Sequence, residues 1–575
     1  MASRAPQFSA PGTLEAIANW VALADLVAAL DPEYLRQQRW FGSKSKAITG
    51  LQLNDYAVLR PELPLFILAL IKVEYVGYDA EIYSVPLMIS DRAVPQLDPL
   101  LELKTASGGG FVYEGLADDE FCRALLQKIA YPTELSAMAG RFVFAKTPAF
   151  IQPESPTVKR SRAEQSNTSM IFGNVLILKN FRKVEPGTNP DLEISRFLTT
   201  KTDFTHIPPL AGMIEYFGSS SSAAISMLQR FVPNQGDTWE YTLRHLEDFY
   251  AAAARSPKKA PSQPDTSVGS GGGSSRTGPT PAMSGSGGGS SRTGPPPPSV
   301  GSGGGSSGTG PPPAVEEAAG RLMREYAAEA SQLGHITGQL HVALASAPQD
   351  PDFAPEPIVG QDVERWISSI KQHIETGLRA LDSLSSYGPG LERTAAELIR
   401  KKSDYLAKVE ELRGLEASQT YKIRCHGDYH LGQVLKTDDG FCILDFEGEP
   451  LRSLQERREK ISPLKDVAGM LRSYHYAAQA GLFAFAEHHG HERDALEPWA
   501  RAWERQAGQS FLAAYVPEVR RTPAAIVPSS IDLLTRVLSV FLLDKAVYEL
   551  NYELNHRPSW LKIPLEGIQV AMELG

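Results

Sequence analysis

Cysteine is scarce in this chain: three in 575 residues, Cys122, Cys425 and Cys442. Their spacing fits neither a disulfide framework nor a zinc site, so small core roles and a reducing compartment are expected. Long apolar runs are missing as well. No stretch approaches the eighteen uninterrupted apolar residues of a membrane span. The first apolar segment, Leu14 to Leu30, is broken by Glu15, Asn19 and Asp25 at helical spacing, which reads as an amphipathic helix and not a signal peptide. The expected location is the cytoplasm. Basic charge is not in excess either: 57 Lys and Arg against 67 Asp and Glu give a net charge of −10, which argues against a nucleic-acid partner. What remains, 42% apolar and 22% charged residues, is the composition of an ordinary soluble protein, long enough for two to four domains.

The informative stretch is CHGDYHLGQVLKTDDGFCILDFEGEP, residues 425–450. It sets Asp428 in a His-Gly-Asp turn, Gln433 five residues on and Asp445 seventeen residues on. Val434-Leu435 and Phe441 to Leu444 flank the turn Thr437-Asp438-Asp439-Gly440, the pattern of a β-hairpin. Such a hairpin brings Gln433 and Asp445 to one open end, beside Asp428. A carboxylate next to an acceptor hydroxyl, with two oxygen ligands for Mg²⁺ on ATP phosphates, is what phosphoryl transfer needs. On this reading Asp428 orients or accepts the acceptor proton, Gln433 and Asp445 hold the metal, and His426 shapes the turn by hydrogen bonding. Asp466, at the start of a helix opened by Ser462-Pro463, reads either as an anchor for the catalytic loop or as a plain helix-start acid.

Upstream, Met170 to Lys179 reads as a turn and a buried strand ending in lysine, and Asn189-Pro190 opens a helix. Lys179 and Glu193 then match the strand-lysine and helix-glutamate pair with which kinase folds hold ATP phosphates. Asn167, Thr168 and Ser169 lie where a kinase covers the phosphates, although their loop lacks G-x-G-x-x-G. The strand Ala224 to Val232 is expected to run into an inter-lobe hinge, with backbone near Leu228 to Arg230 reading adenine. Residues 256–314 interrupt this pattern with Gly/Ser/Pro repeats of period 16, beginning at Gly269, Gly285 and Gly301. They are too apolar-poor to stack or to offset ordering entropy. The segment is expected to be disordered, a tolerated loop expansion with a hinge or docking tail as the alternative. Helical patterns abut it at Thr238 to Arg255 and Ala314 to Ala345. More follow at Gln361 to Ser383, Glu392 to Leu412, Ser462 to Ala486, Leu496 to Tyr515 and Ser529 to Leu554. On the last of these, Lys545, Tyr548 and Tyr552 share one helical face.

The His-Gly-Asp…Gln…Ile-Leu-Asp-Phe-Glu text resembles the aminoglycoside-phosphotransferase-like kinases, which usually have Asn where this chain has Gln433. HGDYHLGQVL…LDFEGEP, with Ser462 to Ser473, Arg39-Trp-Phe-Gly42 and Lys545-Ala-Val-Tyr-Glu549, is similar to maltokinases within that superfamily. The resemblance implies an α+β, bilobal protein-kinase-like fold. It has an N-terminal α/β cap over 1–110, a β-rich nucleotide-binding lobe over 111–235 and a large helical C-terminal lobe over 236–575. It implies ATP and Mg²⁺ as cofactors and transfer to the anomeric hydroxyl of maltose, feeding α-glucan and glycogen synthesis. It also implies that Lys545 and Tyr552 hold the sugar. The alternatives are a kinase for glucosamine or an aminoglycoside, and a catalytically inactive scaffold. Association with a trehalose-converting enzyme, and monomer against homodimer, stay open.

Overall fold

The run Leu65–Tyr75 buries Leu65, Ile67, Ala69, Ile71 and Val73 in one apolar cluster and Phe66, Leu68 and Leu70 in another. Side chains alternate across a strand, so a strand apolar at successive positions must be covered on both faces. In the computed structural model, which describes residues 6–10, 12–106, 108–161, 166–256, 311–384, 390–450 and 452–574, this strand sits inside the first of two seven-stranded sheets. The Gly/Ser/Pro expectation for 256–314 falls, for residues 257–310, outside the described residues.

The first sheet comprises β1 (Gln7–Ser9), β2 (Ile48–Arg60), β3 (Leu65–Tyr75), β4 (Tyr78–Ser84), β5 (Leu87–Ser90), β6 (Leu101–Thr105) and β7 (Gly108–Glu114). Its order is β1-β6-β7-β5-β3-β2, with β4 also on β3, and all pairings are antiparallel except β1 with β6. The sheet runs through Glu114, so the cap boundary expected at 110 falls inside β7. The amphipathic segment Leu14 to Leu30 covers one face as a 3₁₀ turn, Glu15–Ile17, and a helix, Trp20–Ala28. The break comes from Asn19, whose side chain accepts from Ala22 N at 3.1 Å and caps the helix.

The second sheet is antiparallel: β8 (Thr133–Ser136), β9 (Arg141–Lys146), β10 (Val158–Arg160), β11 (Asn167–Phe172), β12 (Leu176–Phe181), β13 (Leu210–Phe217) and β14 (Ser222–Arg230). Its order is β10-β11-β12-β14-β13-β9-β8, which puts β12 and its Lys179 near the middle. The two sheets share a core. Leu59, Phe66, Leu68, Leu70, Met88 and Tyr113 of the first pack with Phe121, Ile129, Phe144, Met170 and Leu178. Two buried charges tie the layers. Asp55 of β2 accepts from Met138 N (2.8 Å), Ala139 N (3.1 Å) and Tyr216 Oη (2.6 Å). Arg182, directly after β12, donates to Glu114 (3.0 Å), to Ser84 O (3.2 Å) and to Thr168 Oγ1 (2.7 Å), and lies 4.7 Å from the ring of Trp40. Paired this way, each buried charge has its hydrogen bonds satisfied.

From Thr238 onward the described chain is mainly helical around one large apolar cluster. The helix Thr238–Arg255 has the expected bounds, capped by Asp237. The patterns from Ala314 and Glu392 are each interrupted, at Met323 and Lys401. The expected α+β class with a helical C-terminal portion is what the chain adopts.

Candidate active site

The hairpin forms as its turn chemistry requires: Val434 pairs with Ile443, Leu435 with Cys442, Lys436 with Phe441 and Thr437 with Gly440. Its open end places Gln433 and Asp445 together, with Gln433 Nε2 2.8 Å from Asp445 Oδ2. Asp445 holds a left-handed backbone, φ 63°, a conformation unusual for a residue with a side chain. Turning the chain there sends the next residues back across the cleft: Phe446 N donates to Asp191 Oδ1 (3.1 Å), and Glu447 faces Lys179.

The Lys179 ammonium is the centre of charge. It lies 2.9 Å from Asp191 Oδ2, 2.7 Å from Asp445 Oδ1 and 2.7 Å from Glu447 Oε1. This corrects the expected Lys179–Glu193 pair. Both acids sit in the first turn of the helix Pro190–Lys201, two residues and so about 200° apart. The face that turns to Lys179 carries Asp191. Glu193 instead reaches Arg424 (2.6 Å) and Arg458, which hold its carboxyl below the usual range against the upward push of burial. Burial also raises the Asp445 carboxyl, but the Lys179 charge outweighs it and the net shift is downward. The Glu447 carboxyl is shifted up, by burial first and then by the neighbouring charges of Asp445 and Asp191. Asp191, Asp445 and Glu447 form the carboxylate group able to take a cation, with the Gln433 amide alongside. Hard oxygen donors of this kind suit Mg²⁺. Glu447 was missed in the sequence, although its place two residues after Asp445 was the available signal.

Strand alternation sorts the three residues expected over the phosphates. Ser169 is paired in register with Lys179 and Asn167 with Phe181, so Asn167 and Ser169 share the lysine's face. Asn167 Nδ2 donates to Glu447 Oε1 at 3.0 Å. Thr168 points the other way, with its hydroxyl spent on Arg182, which corrects its assignment to the phosphate face.

Across the cleft, Gly427 takes φ +86°, a left-handed turn that suits glycine, and exposes both loop amides to one side chain. Asp466 accepts His426 N on Oδ2 (2.8 Å) and Gly427 N on Oδ1 (3.0 Å). His341 Nε2 lies 3.1 Å from Oδ2, with its Nδ1 on Tyr515 Oη. Burial pushes the Asp466 carboxyl up, yet the hydrogen bond and charge from His341 and the Gly427 amide bring it below the usual range. Of the two readings of Asp466, this geometry is that of the loop anchor. His426 Nε2 meets Leu444 O at 2.8 Å, joining the turn to the hairpin.

Asp428 Oδ1 lies 3.1 Å from Lys545 Nζ, which also meets Glu449 Oε1 at 3.2 Å. Burial alone would depress the Lys545 ammonium, but Asp428, Glu449 and Glu549 hold it well above its ordinary value. Asp428, Glu449 and Lys545, with His373, Arg452, Asp544 and Tyr548, line a cavity of about 10 Å³. That is room for one water. Tyr552 does not line the cavity: it is 42% exposed, its ring stacked 4.4 Å from that of His556. Tyr548, which shares the helical face of Lys545 and Tyr552 but is not among the residues the resemblance implies for the sugar, does line it.

With this geometry in hand, residues 34–118 match the maltokinase N-terminal cap domain. Two curated relatives are glucosamine kinases: one from Streptacidiphilus jiangxiensis, 27% identical over 41% of this chain and 47% of its own, and one from Mycolicibacterium smegmatis, 25% identical over 42% and 53%. The chain spans about half the length of these curated relatives. Among solved structures, a glucosamine kinase in complex with glucosamine, ADP and inorganic phosphate superposes with a TM-score of 0.60 at 19% identity, covering 96% of this chain and 99% of that one. A second glucosamine kinase structure, crystal form B, gives 0.62 at 18% identity. The fold is that of these solved structures, and the likeness to maltokinases rests on the cap domain matched by residues 34–118. No described helix is long and apolar enough to cross a membrane.

Proposed function

We propose that this protein is an ATP-dependent sugar kinase that phosphorylates the anomeric hydroxyl of maltose, yielding maltose 1-phosphate. The observation that carries the reading is the convergence of two charge centres on one cleft: Lys179 with Asp191, Asp445 and Glu447, and Asp428 with Lys545. Asp428 accepts the proton of the attacking hydroxyl while its oxygen bonds to the γ-phosphorus and the bond to the ADP oxygen breaks. Lys179 neutralises phosphate charge, and Asp191 holds the ammonium in place. Gln433, Asp445 and Glu447 would hold Mg²⁺, which would supply further neutralisation of the phosphates. Catalysis of this kind is positioning and charge stabilisation.

The pocket chemistry favours a neutral acceptor. Glu449 is matched by Arg452 (with Lys465 3.8 Å away) and by Lys545, and Asp544 contacts His373 at 2.8 Å. An ammonium acceptor would need a carboxylate not already matched this way. Tyr552 lies seven residues, about 10 Å of helix, beyond Lys545, a reach that suits the second ring of a disaccharide. The second reading, glucosamine, is favoured by the relatives, which are glucosamine kinases. An acceptor screen with ADP release as readout tests both, using maltose, glucose, glucosamine and an aminoglycoside. Maltose-dependent release is expected; release with glucosamine alone selects the second reading, and release with no acceptor sinks both.

A further inference from the structure

His430 lies two residues beyond Asp428, and the kinase reading so far gives it no task. Its Nδ1 accepts the Gly432 amide at 3.1 Å, capping the one-turn helix Leu431–Gln433. An imidazole nitrogen that accepts an N–H bond carries a lone pair, so the neutral ring bears its proton on Nε2. Gly432 leaves room for the ring in this position, because a Cβ there would come within 3.1 Å of His430 Cε1 and Nδ1. The Nε2–H is thus held in one tautomer and one direction. It lies 3.9 Å from Asp428 Oδ2, beyond hydrogen-bond reach, and has no hydrogen-bond partner among the described residues. Asp428 keeps its other oxygen on Lys545, on the acceptor side. His430 does not line that enclosed cavity, and its Nε2 stands on the side of Asp428 Oδ2, the oxygen that Lys545 leaves free.

We propose that His430 is a further catalytic residue whose Nε2–H donates to an oxygen of the γ-phosphoryl group during its transfer. A fixed N–H aimed at developing charge needs no reorganisation when the charge appears, which is the condition for strong transition-state stabilisation. No proton is transferred by His430. The bond made is O–P to the sugar, the bond broken is P–O to ADP, and the acceptor proton goes to Asp428.

This inference rests on the kinase reading, and two isosteres separate it from a cap role. Asn places its acceptor where Nδ1 stands and keeps the Gly432 bond, but has nothing at Nε2. Gln extends a donor to the Nε2 position and loses the cap. With the acceptor identified by the screen, His430→Asn is expected to lower kcat by roughly 10²–10³ with both KM values unchanged. His430→Gln should retain activity to within about tenfold. Added imidazole should partly restore His430→Ala, a check that does not depend on how the Asn variant folds. A more active Asn variant, equal losses in Asn and Gln, or unchanged kcat in Asn would each overturn the proposal. A wild-type protein that releases ADP with no acceptor would overturn the kinase reading instead.

Discussion

Replacing Asp466 by Asn tests the architecture of the catalytic loop without touching Asp428. The carboxylate receives three hydrogen bonds from His426 N, Gly427 N and His341 Nε2, at 2.8, 3.0 and 3.1 Å. Asn can accept on one oxygen only, and whichever way it turns, its NH₂ faces a donor. The change removes at least one charge-assisted bond, worth about 1.5–3 kcal/mol, and leaves a buried amide unpaired. A loss of about 3 kcal/mol, or roughly 2–5 °C in Tm for a unit of this size, is expected. The pH dependence has a definite sign. The Asp466 carboxyl is depressed in the folded protein, so its contribution is complete above the unfolded value of about 4 and fades as pH falls through the folded value. The stability gap between wild type and Asp466→Asn should therefore be full at pH 7 and narrow below about pH 4. Urea melts at both pH values, with kcat for the folded variant, are the assays. A variant with wild-type stability and turnover would refute the anchor.

Four further outcomes are expected. Asp428→Asn should lower kcat by roughly 10²–10⁴ while ADP binding, measured by calorimetry, stays intact. Glu447→Gln should raise the Mg²⁺ concentration for half-maximal activity by about tenfold; an unchanged metal titration would remove Glu447 from the site. Asp191→Asn should weaken ATP binding, whereas Glu193→Gln should chiefly lower stability, by leaving Arg424 and Arg458 short of charge, with melting curves and ATP affinities separating the two. Tyr552→Ala should raise KM several-fold for maltose and leave KM for glucose and ATP alone, and equal shifts in all three would mark a packing defect.

The elements with local signatures were legible. The hairpin's turn residues, the Asn189-Pro190 helix start and the strand Leu65–Tyr75 appear as the sequence pattern indicates, because caps, turns and alternation act within a few residues. The helix patterns from Ala314 and Glu392 overran their breaks, since Met323 and Lys401 are ordinary helix formers and tertiary packing ends those helices. At the site, the hairpin spacing put Gln433 beside Asp445, as the structure has them. It could not choose between Asp191 and Glu193: both are first-turn acids, and only the docking of the helix on the sheet decides which one faces Lys179. Thr168 was misassigned because strand parity cannot be counted before the first residue of β11 is known. Glu449 meets Lys545 across about a hundred residues of sequence, a contact that no local pattern records.

The core shared by the two sheets has a consequence for how this protein could have been assembled and how it can be taken apart. Phe66, Leu68, Leu70, Met88 and Tyr113 are as much the lining of the second sheet as of the first, and Asp55 and Arg182 bury their charges only because both sheets are present. A chain begun after Glu114 would expose that apolar surface and strand Arg182 without Glu114, Ser84 or Trp40. The first sheet is therefore a structural half of the strand pair that carries Lys179. Trimming toward a minimal catalyst should yield an aggregating fragment, and heat should melt both sheets in a single transition.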